Sequence, residues 1–303
     1  MSAAPDGPDG FGDDGFGDDG FRDDGFGARL VRTTDALGTL CVGIDPHPSL
    51  LAEWGLTDDV DGLARFCDGC LAAFAGAVAV VKPQSAFFER HGSAGVAVLE
   101  RLLAGFAGSP TLTLLDVKRG DIGSTMDGYA DAYLGVGAPL GADAVTLSPY
   151  LGFGSLAPAL GAAREAGRGV FVLARTSNPE GGPVQLADWA GRSVAQGIVD
   201  GAAAANAAAG AADGPLGDVG VVIGATHDHG LDLSALRGAV LAPGLGAQGA
   251  GPADVADRFA GLSGLVLPTA SRSVLRAGPE PAALCGAAES LRDELAAARA
   301  AAG

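Results

Sequence analysis

The sequence predicts an α/β protein in which strands and helices alternate and eight parallel strands close into a barrel, the (β/α)8 or TIM barrel class. The first observation is a rhythm: eight apolar segments each end in polar or glycine residues, and helical segments lie between them. The second is length, because about 275 residues remain after a low-complexity start and this fold typically takes ~250. A doubly wound open sheet is the alternative, but no G-x-G-x-x-G follows the first apolar segment.

The chain begins with a low-complexity segment, residues 1–27. The pentapeptide FGDDG starts at Phe11 and again at Phe16, and FRDDG follows at Phe21. A segment of Asp and Gly with few apolar residues cannot bury enough surface to offset the entropy lost on ordering. We therefore expect a disordered tail over 1–27 and one barrel domain over 28–303. Weak docking of the regularly spaced Phe residues on a partner is the alternative role for the tail.

The composition limits the classes of partner. The formal net charge is −17, whereas a general nucleic-acid binder would present a basic surface. No apolar run approaches the ~20 residues that a membrane-spanning helix needs. Cys67 and Cys70 form a C-x-x-C in a helical segment, without a second pair to complete a zinc site. We expect a cytoplasmic protein with reduced thiols and with no nucleic-acid or membrane partner.

The predicted elements follow the chain in order. The strands span residues 39–44, 78–82, 111–118, 143–147, 169–174, 219–224, 239–242 and 264–267. Helical segments include 60–75, 93–107, 124–136 and 184–209, and a last helix over 281–301 closes the chain. In barrels of this class the active site lies at the C-terminal ends of the strands, so the chemistry is expected there.

The third strand carries the densest group of charges. In residues 111–125, TLTLLDVKRGDIGST, a run of apolar and β-branched residues leads directly into Asp116 and Lys118. Because side chains alternate between the faces of a strand, this pair shares one face with two leucines nearer the strand start. Asp121 follows beyond the strand end. A structural ion pair, with Asp121 capping the next helix, is the alternative to a functional site.

Polar residues also follow other strands. The first strand ends in GIDP with Asp45, and the second ends in VVKPQ with Lys82. The fifth runs into ARTSNPEGG, a Gly/Pro loop that carries Ser177 and Asn178. Charged groups therefore gather at the first three strand ends, which favours a functional site over an isolated ion pair.

An anion site is predicted at the last two strand ends. The seventh strand runs into the glycine-rich APGLGAQGAGP, whose polar side chain is Gln248, and the eighth ends in PTASRS with Arg272. Glycine lets backbone N–H groups approach a phosphate, and arginine adds a planar charged fork. Barrels of this class frequently bind phosphate in the loops after strands seven and eight. Taken alone, the glycine-rich segment could be an ordinary loop, and Arg272 could be a surface arginine.

With these motifs in order, the chain resembles the orotidine 5′-monophosphate decarboxylase family, and KRGDIGST is similar to the branch often called type 2. The match runs from about Arg32 to the final helix, through GIDP, VVKPQ, LLDVKRGDIGST, TLSPYLG, ARTSNPEG, APGLGAQG and ASRS. The resemblance implies decarboxylation of orotidine 5′-monophosphate (OMP) to uridine 5′-monophosphate (UMP), the last step of de novo UMP synthesis. It implies no metal and no organic cofactor.

The resemblance also implies a role for each site residue. Lys118 would donate a proton to C6 of the pyrimidine, and Asp116 would lie beside the departing carboxylate. Asp121 would come from the other subunit of a homodimer with shared active sites, and would complete a charge array with those two residues and Lys82. The implied substrate contacts are Asp45 and Lys82 to ribose hydroxyls, Thr125 from the partner subunit, Ser177 to the pyrimidine edge, and Gln248 and Arg272 to the phosphate.

Two other functions remain as alternatives. A metal-dependent sugar-phosphate decarboxylase of the same barrel group would share the third-strand motif, but it needs a carboxylate on the second strand to help bind magnesium. This chain has Lys82 there, a cation that would repel the metal. A catalytically inactive barrel that serves as a scaffold, with the Phe/Asp tail as the working part, is the alternative from another class.

Overall fold

Eight parallel strands form a closed barrel in the computed structural model, which describes residues 25–210, 216–246, 249–260, 262 and 264–302. Within these residues the strands are β1 (Cys41–Ile44), β2 (Val80–Pro83), β3 (Leu112–Arg119), β4 (Ala144–Leu147), β5 (Gly169–Arg175), β6 (Asp188–Trp189), β7 (Arg192–Ser193), β8 (Val219–Ile223), β9 (Val240–Pro243) and β10 (Val266–Ala270). The order around the barrel is β1-β10-β9-β8-β5-β4-β3-β2, and β2 pairs with β1 to close it. The predicted TIM barrel is confirmed, and every predicted strand overlaps a barrel strand.

Helices surround the barrel. They are α1 (Phe26–Leu37), α2 (Pro48–Glu53), α3 (Val60–Phe74), α4 (Ala86–Glu89), α5 (Gly92–Phe106), α6 (Gly123–Tyr133), α7 (Ala157–Glu165), α8 (Gly182–Gln185), α9 (Val194–Ala208), α10 (Pro252–Arg258), α11 (Arg272–Leu275) and α12 (Pro281–Ala302), with short 3-10 turns at Phe153–Leu156 and Pro179–Gly181. The sequence predicted α3, α5, α6 and α12 to within three residues at each end. None of the helices in the described part of the chain is long and apolar enough to cross a membrane.

The predicted helix over 184–209 is wrong over residues 186–193. After α8 the chain forms an antiparallel hairpin, β6 and β7, before α9 begins. The two turn residues, Ala190 and Gly191, have φ of 54° and 80°, a left-handed pair that suits a tight hairpin and not a helix. Ser193 then caps α9, since its side chain accepts a hydrogen bond from Gln196 N at 3.1 Å.

The folded domain begins before the predicted boundary at residue 28. Phe26 opens α1, is 2% exposed, and meets Phe171 of β5 edge to face, with ring centroids 6.0 Å apart. Gly27 N donates a hydrogen bond to Asp218 Oδ1 at 2.8 Å. The end of the predicted tail therefore belongs to the barrel, because Phe26 covers the end from which the strands start. The rest of the predicted tail, residues 1–24, lies outside the described residues.

Two apolar layers lie on either side of the strands. The inner one fills the barrel and includes Phe26, Leu30, Cys41, Val80, Leu112, Leu114, Ala144, Phe171, Val222, Leu241 and Leu267. The outer one lies between strands and helices, and it contains Leu115 and Val117 of β3. The predicted alternation of β3 is confirmed, and Asp116 continues the inner face toward the C-terminal end of the strand.

All four cysteines are free thiols. Cys41 lies on β1 inside the barrel, and Cys67 and Cys70 lie on the buried face of α3. Burial raises the pKa of the Cys41 thiol to about 12, although the charge of Lys82 opposes the shift. This thiol is therefore protonated at neutral pH and acts as a small apolar group.

Candidate active site

The end of β3 departs from regular strand geometry at Lys118. Its φ is 47°, in the left-handed region that residues other than glycine rarely adopt. The register between β3 and β4 shifts between Leu115 and Arg119, so the Lys118 N–H lies in an interrupted part of the ladder. It donates to Thr146 Oγ1 of β4 at 3.0 Å. Such conformations persist where the surrounding contacts fix them, and they cluster at functional sites.

Asp116 receives hydrogen bonds from four side chains. Lys118 Nζ and Thr146 Oγ1 donate to Oδ1 at 2.6 and 2.7 Å. Lys82 Nζ and Gln84 Nε2 donate to Oδ2 at 3.0 and 2.8 Å. Each carboxylate oxygen therefore accepts two bonds, and these fix the orientation of the group below the barrel mouth.

Neighbouring charges keep this buried carboxylate ionised. Burial alone raises the pKa of Asp116, but the ammonium groups of Lys82 and Lys118 outweigh that effect and hold the pKa well below its usual range. Burial also acts to lower the pKa of Lys82, and the charges of Asp116 and Asp45 reverse this and raise it. At neutral pH one carboxylate therefore lies between two ammonium groups.

The two lysines differ in exposure. The side chain of Lys82 is 7% exposed, whereas that of Lys118 is 47% exposed. Lys82 is a buried counterion, and Lys118 is the cation that a molecule at the barrel mouth would meet. An ammonium group held by a carboxylate on one side and open on the other can donate a proton to a bound substrate.

Asp45 and Ser271 lie side by side where β1 and β10 end. A Cβ added at Gly43 would lie 3.2 Å from Asp45 Oδ2 and 3.4 Å from Ser271 Oγ. Asp45 Oδ1 and Ser271 Oγ are buried and have no hydrogen-bond partner among the described residues, and the same holds for Thr226 Oγ1 just after β8. Because buried polar groups are normally paired, these atoms indicate where polar groups of a substrate would bind.

Ser177 lies where β5 ends, beside the end of β8. A Cβ added at Gly224 would lie 2.9 Å from both Ser177 N and Ser177 Cβ, so glycine is needed for this close approach. Asn178 is bound within its own loop, since Thr176 Oγ1 donates to Asn178 Oδ1 at 2.6 Å and Asn178 Nδ2 donates to Glu180 at 3.0 Å. Ser177 is thereby held against the C-terminal end of β8.

The loops after β9 and β10 contact each other. Arg272 is the half-buried first residue of α11, and a Cβ added at Gly246 would lie 3.2 Å from Ser273 Oγ. Gly244 and Gly246 have φ of 120° and 76°, which favour glycine. The described parts of the two loops are therefore adjacent, as a shared anion site requires. Gln248, the other predicted phosphate contact, lies outside the described residues.

Asp121 and Thr125 lie apart from this cluster. Asp121 Oδ1 accepts a hydrogen bond from Ile122 N at 2.8 Å, and among the described residues Asp121 forms no ion pair with a lysine. Thr125 is exposed on α6. The structure thus brings together three members of the predicted charge array, Lys82, Asp116 and Lys118, and the fourth, Asp121, is not paired with them.

Exposed apolar side chains follow Asp121 in the chain and lie in the loop after β4. Ile122 is 61% exposed, and Tyr150 and Leu151 of the next strand's loop are 81% and 53% exposed. The two loops run together, because Ser148 N donates a hydrogen bond to Arg119 O at 2.7 Å. Asp121 therefore lies in a pair of adjacent loops that expose three apolar residues, which we name together the Ile122–Tyr150–Leu151 patch.

Four polar residues of the site were not singled out from the sequence: Gln84, Thr146, Thr226 and Ser271. Thr146 carries a recognisable signal, because it lies two residues after the inward-facing Ala144 and near the end of β4. Gln84 carries the same signal, because it lies two residues after Lys82 and its parallel bridge to Asp116 extends the β2–β3 ladder. The unpaired oxygens of Thr226 and Ser271 become visible only in three dimensions.

The fold and these fixed charges define a class of protein, a TIM-barrel enzyme that carries its chemical groups on the strand ends. The sequence profile of the "Orotidine 5'-phosphate decarboxylase / HUMPS family" matches residues 38–286. The chain belongs to this family.

Similar proteins agree with this assignment. The orotidine 5′-phosphate decarboxylase of Salinispora arenicola is 58% identical over 265 residues, which cover 87% of this chain and 94% of the relative. That of Streptomyces coelicolor is 54% identical over 274 residues, which cover 89% and 96%. A crystal structure from Streptomyces avermitilis, assigned to the same enzyme, superposes with a TM-score of 0.87 at 54% identity and covers 91% and 96%. The predicted family and carboxy-lyase class are confirmed, and the metal-dependent alternative is not supported.

Proposed function

We propose that this chain decarboxylates OMP to UMP and CO2, with Lys118 as the proton donor. The C6–carboxyl bond breaks, CO2 leaves, and the electron pair that remains on C6 takes a proton from the Lys118 ammonium group. One observation carries the proposal: Lys118 Nζ lies 2.6 Å from a buried carboxylate and is half exposed at the barrel mouth. The Asp116 carboxylate therefore holds the Lys118 amine where a substrate at the barrel mouth would meet it.

Magnitudes indicate which effect dominates. Asp116 and a substrate carboxylate ~4 Å apart repel by about 4 kcal/mol at an effective dielectric constant of ~20. Enzymes typically lower reaction barriers by ~8–23 kcal/mol, and more for the slowest reactions. Repulsion therefore supplies a minor share, and the larger share comes from stabilisation of the developing C6 carbanion by a preorganised ammonium group. The four hydrogen bonds to Asp116 provide that preorganisation.

The remaining predicted residues fit the other parts of the substrate. Asp45, with an unpaired buried oxygen, and Lys82 would bind ribose hydroxyls. Ser177 would meet the pyrimidine edge from the end of β5. Gln248 and Arg272 would hold the phosphate, and the adjacency of their two loops supports this role.

We also propose a homodimer with shared active sites, in which Asp121 and Thr125 serve the partner's barrel. Asp121 has no lysine partner among the described residues of its own chain, and it borders the Ile122–Tyr150–Leu151 patch, which a second subunit would cover. The free thiols suit the cytoplasm, and the acidic chain suits a small-molecule substrate with no nucleic-acid or membrane partner.

Loss of the orotate absorbance of OMP, followed in excess chelator, tests the reaction. We expect full turnover with EDTA, because Lys82 Nζ lies 3.0 Å from Asp116 Oδ2 where a metal site would need a carboxylate. Turnover that EDTA abolishes and magnesium restores would indicate the metal-dependent alternative. An absence of turnover with and without magnesium would indicate an inactive scaffold.

Mixing two inactive variants tests the shared site. Lys118→Ala is expected to abolish the reaction and Asp121→Ala to impair it severely, each as a homodimer. After subunit exchange of equal amounts, half of the dimers are mixed and one of their two sites carries both intact residues, so activity should return to about one quarter of wild type. No recovery, with exchange confirmed by a mass tag on one variant, would show that Asp121 serves its own barrel.

A further inference from the structure

The Thr146 hydroxyl connects two groups of the candidate active site. It donates to Asp116 Oδ1 at 2.7 Å and accepts from the Lys118 backbone N–H at 3.0 Å. Thr146 is 1% exposed, so water does not compete for either bond. A hydroxyl both donates and accepts, and here each capacity is used on a different residue of β3.

The bond to the Lys118 N–H compensates for a gap in the sheet. The β3–β4 register shifts between Leu115 and Arg119, and Lys118 lies in that interval with φ of 47°. A backbone N–H in a sheet must find an acceptor, and a left-handed lysine must be held in place by its surroundings. Thr146 supplies that acceptor from the neighbouring strand.

We propose that Thr146 is a positioning residue for the proton transfer: its hydroxyl fixes the left-handed backbone of Lys118 relative to the Asp116 carboxylate and thereby sets where the Lys118 ammonium group lies. Thr146 touches neither the substrate nor the reacting atoms and acts through Lys118. The inference rests on the proposed function, because it assigns the position of the proton donor in that reaction.

The other end of the β3–β4 pair offers a matched control, Thr113 of β3. Thr113 Oγ1 donates to Asp143 Oδ2 at 3.0 Å and accepts from Asp143 N at 3.1 Å, and Thr113 is 4% exposed. Both threonines thus bridge a carboxylate and a backbone N–H. Thr113 lies near the start of β3, far from the barrel mouth, so its loss has a structural cost alone.

A substitution of Gln84 distinguishes the effects of the two hydrogen bonds that Thr146 forms. The Gln84 amide donates to Asp116 Oδ2 at 2.8 Å, and no bond from its side chain to Lys118 is present among the described residues. Gln84→Met therefore removes one hydrogen bond to the carboxylate and leaves the lysine backbone held. Thr146→Val removes a bond to the carboxylate and the bond to the lysine backbone together.

The experiment measures kcat, KM and Tm for wild type and for Thr146→Val, Thr146→Ser, Gln84→Met and Thr113→Val. We expect Thr146→Val to lower kcat about 30-fold, because Asp116 loses one hydrogen bond and the Lys118 ammonium group is displaced. KM should change less than about threefold. Thr146→Ser should stay within about threefold of wild type, and Gln84→Met should lose about tenfold or less. Thr113→Val should lower Tm and leave kcat unchanged.

Three results would overturn the inference while wild type is active. They are a kcat of Thr146→Val within threefold of wild type, a loss that appears in KM instead of kcat, and a loss of kcat in Thr113→Val as large as that in Thr146→Val. If Thr146→Val does not fold, Thr146→Ala against Thr146→Ser gives the same comparison, since the two differ by one hydroxyl. An inactive wild type would reject the proposed function, a separate outcome.

Discussion

The two ends of β3 carry similar groups in different settings. At the start of the strand, Asp143 accepts hydrogen bonds from Thr113 N at 2.8 Å and from Arg29 Nη1 at 2.5 Å. At the end of the strand, Asp116 accepts from two lysines, a glutamine and a threonine. Each end thus has a carboxylate bound by a cation and a threonine, yet the two ends differ in what surrounds these groups.

The difference lies in which groups the chain itself satisfies. At the strand start, Phe26 covers the barrel, and both oxygens of Asp143 are bonded within the chain. At the strand end, Lys118 is half exposed, and buried oxygens of Asp45 and Ser271 have no partner among the described residues. The comparison teaches that the chain pairs its own polar groups at one end of the barrel and leaves polar groups unpaired or exposed at the other, the end where TIM barrels hold their active sites.

Substitution of Lys118 is the strongest test of this division. Under the proposed mechanism, Lys118→Ala and Lys118→Gly should each reduce kcat at least ~10³-fold, because each would remove the proposed proton donor and the charge proposed to stabilise the carbanion. The glycine variant should be the more stable of the two by about 1 kcal/mol, since φ of 47° suits glycine and disfavours alanine. Stopped assays at high enzyme concentration measure the first effect, and thermal unfolding measures the second.

A residual kcat above one hundredth of wild type in either variant would show that another group donates the proton. Equal melting temperatures would show that the backbone at position 118 relaxes once the side chain is gone. The second result would weaken the inference on Thr146 and leave the proton donor unaffected.

Sequence patterns predicted the parts of the molecule that depend on neighbours along the chain. Strand alternation placed Asp116 on the inner face of β3, and the rhythm of apolar segments predicted the barrel. The turn of the β6–β7 hairpin was missed, because Ala190 gives no sign of its left-handed φ of 54°. A helix-forming alanine followed by a glycine suggests a helix interior as readily as a turn.

Contacts between distant segments were not predictable from pattern. Phe26 looks like a fourth phenylalanine of the FGDDG repeat, and only its packing separates it from that repeat. A Cβ added at Gly169 would lie 2.2 Å from the Phe26 ring, so a glycine over 140 positions later provides the space for it. The φ of Lys118 likewise depends on Thr146 of the neighbouring strand.

Arg272 and Arg29 provide a second test, with one arginine at each end of the barrel. If Arg272 binds the phosphate as proposed, Arg272→Ala should lower kcat/KM more than ~100-fold, because the phosphate dianion would lose two charge-assisted hydrogen bonds at ~1.5–3 kcal/mol each. Arg29→Ala should leave kcat/KM within about twofold and lower Tm, because Asp143 loses its ion-pair partner. Steady-state kinetics and thermal unfolding of both variants measure these effects. A change below threefold for Arg272→Ala would place the phosphate site elsewhere.

Two truncations that differ by three residues test the end of the barrel from which the strands start. They are expected to have the smallest effect on catalysis. Removing residues 1–24 should change Tm by less than ~1 °C, because a segment of this composition is expected to make no packed contacts. Removing residues 1–27 also deletes Phe26, and loss of a buried phenylalanine costs about 3–5 kcal/mol. At ~2–4 °C per kcal/mol for a domain of this size, Tm should fall on the order of 10 °C.

Phe26→Ala in the full-length chain is the matched control, because it removes the side chain and leaves the backbone of α1 intact. It should reproduce most of the loss in Tm, and kcat below the unfolding transition should stay within about twofold of wild type for all three proteins. A drop of several degrees on removing residues 1–24 alone would show that the acidic repeat packs against the barrel. A large loss of kcat in Phe26→Ala while the protein is folded would show that the two ends of the barrel are coupled. In that case the two ends of β3 would not act independently, because packing at the strand start would set the position of Asp116 and Lys118 at the strand end.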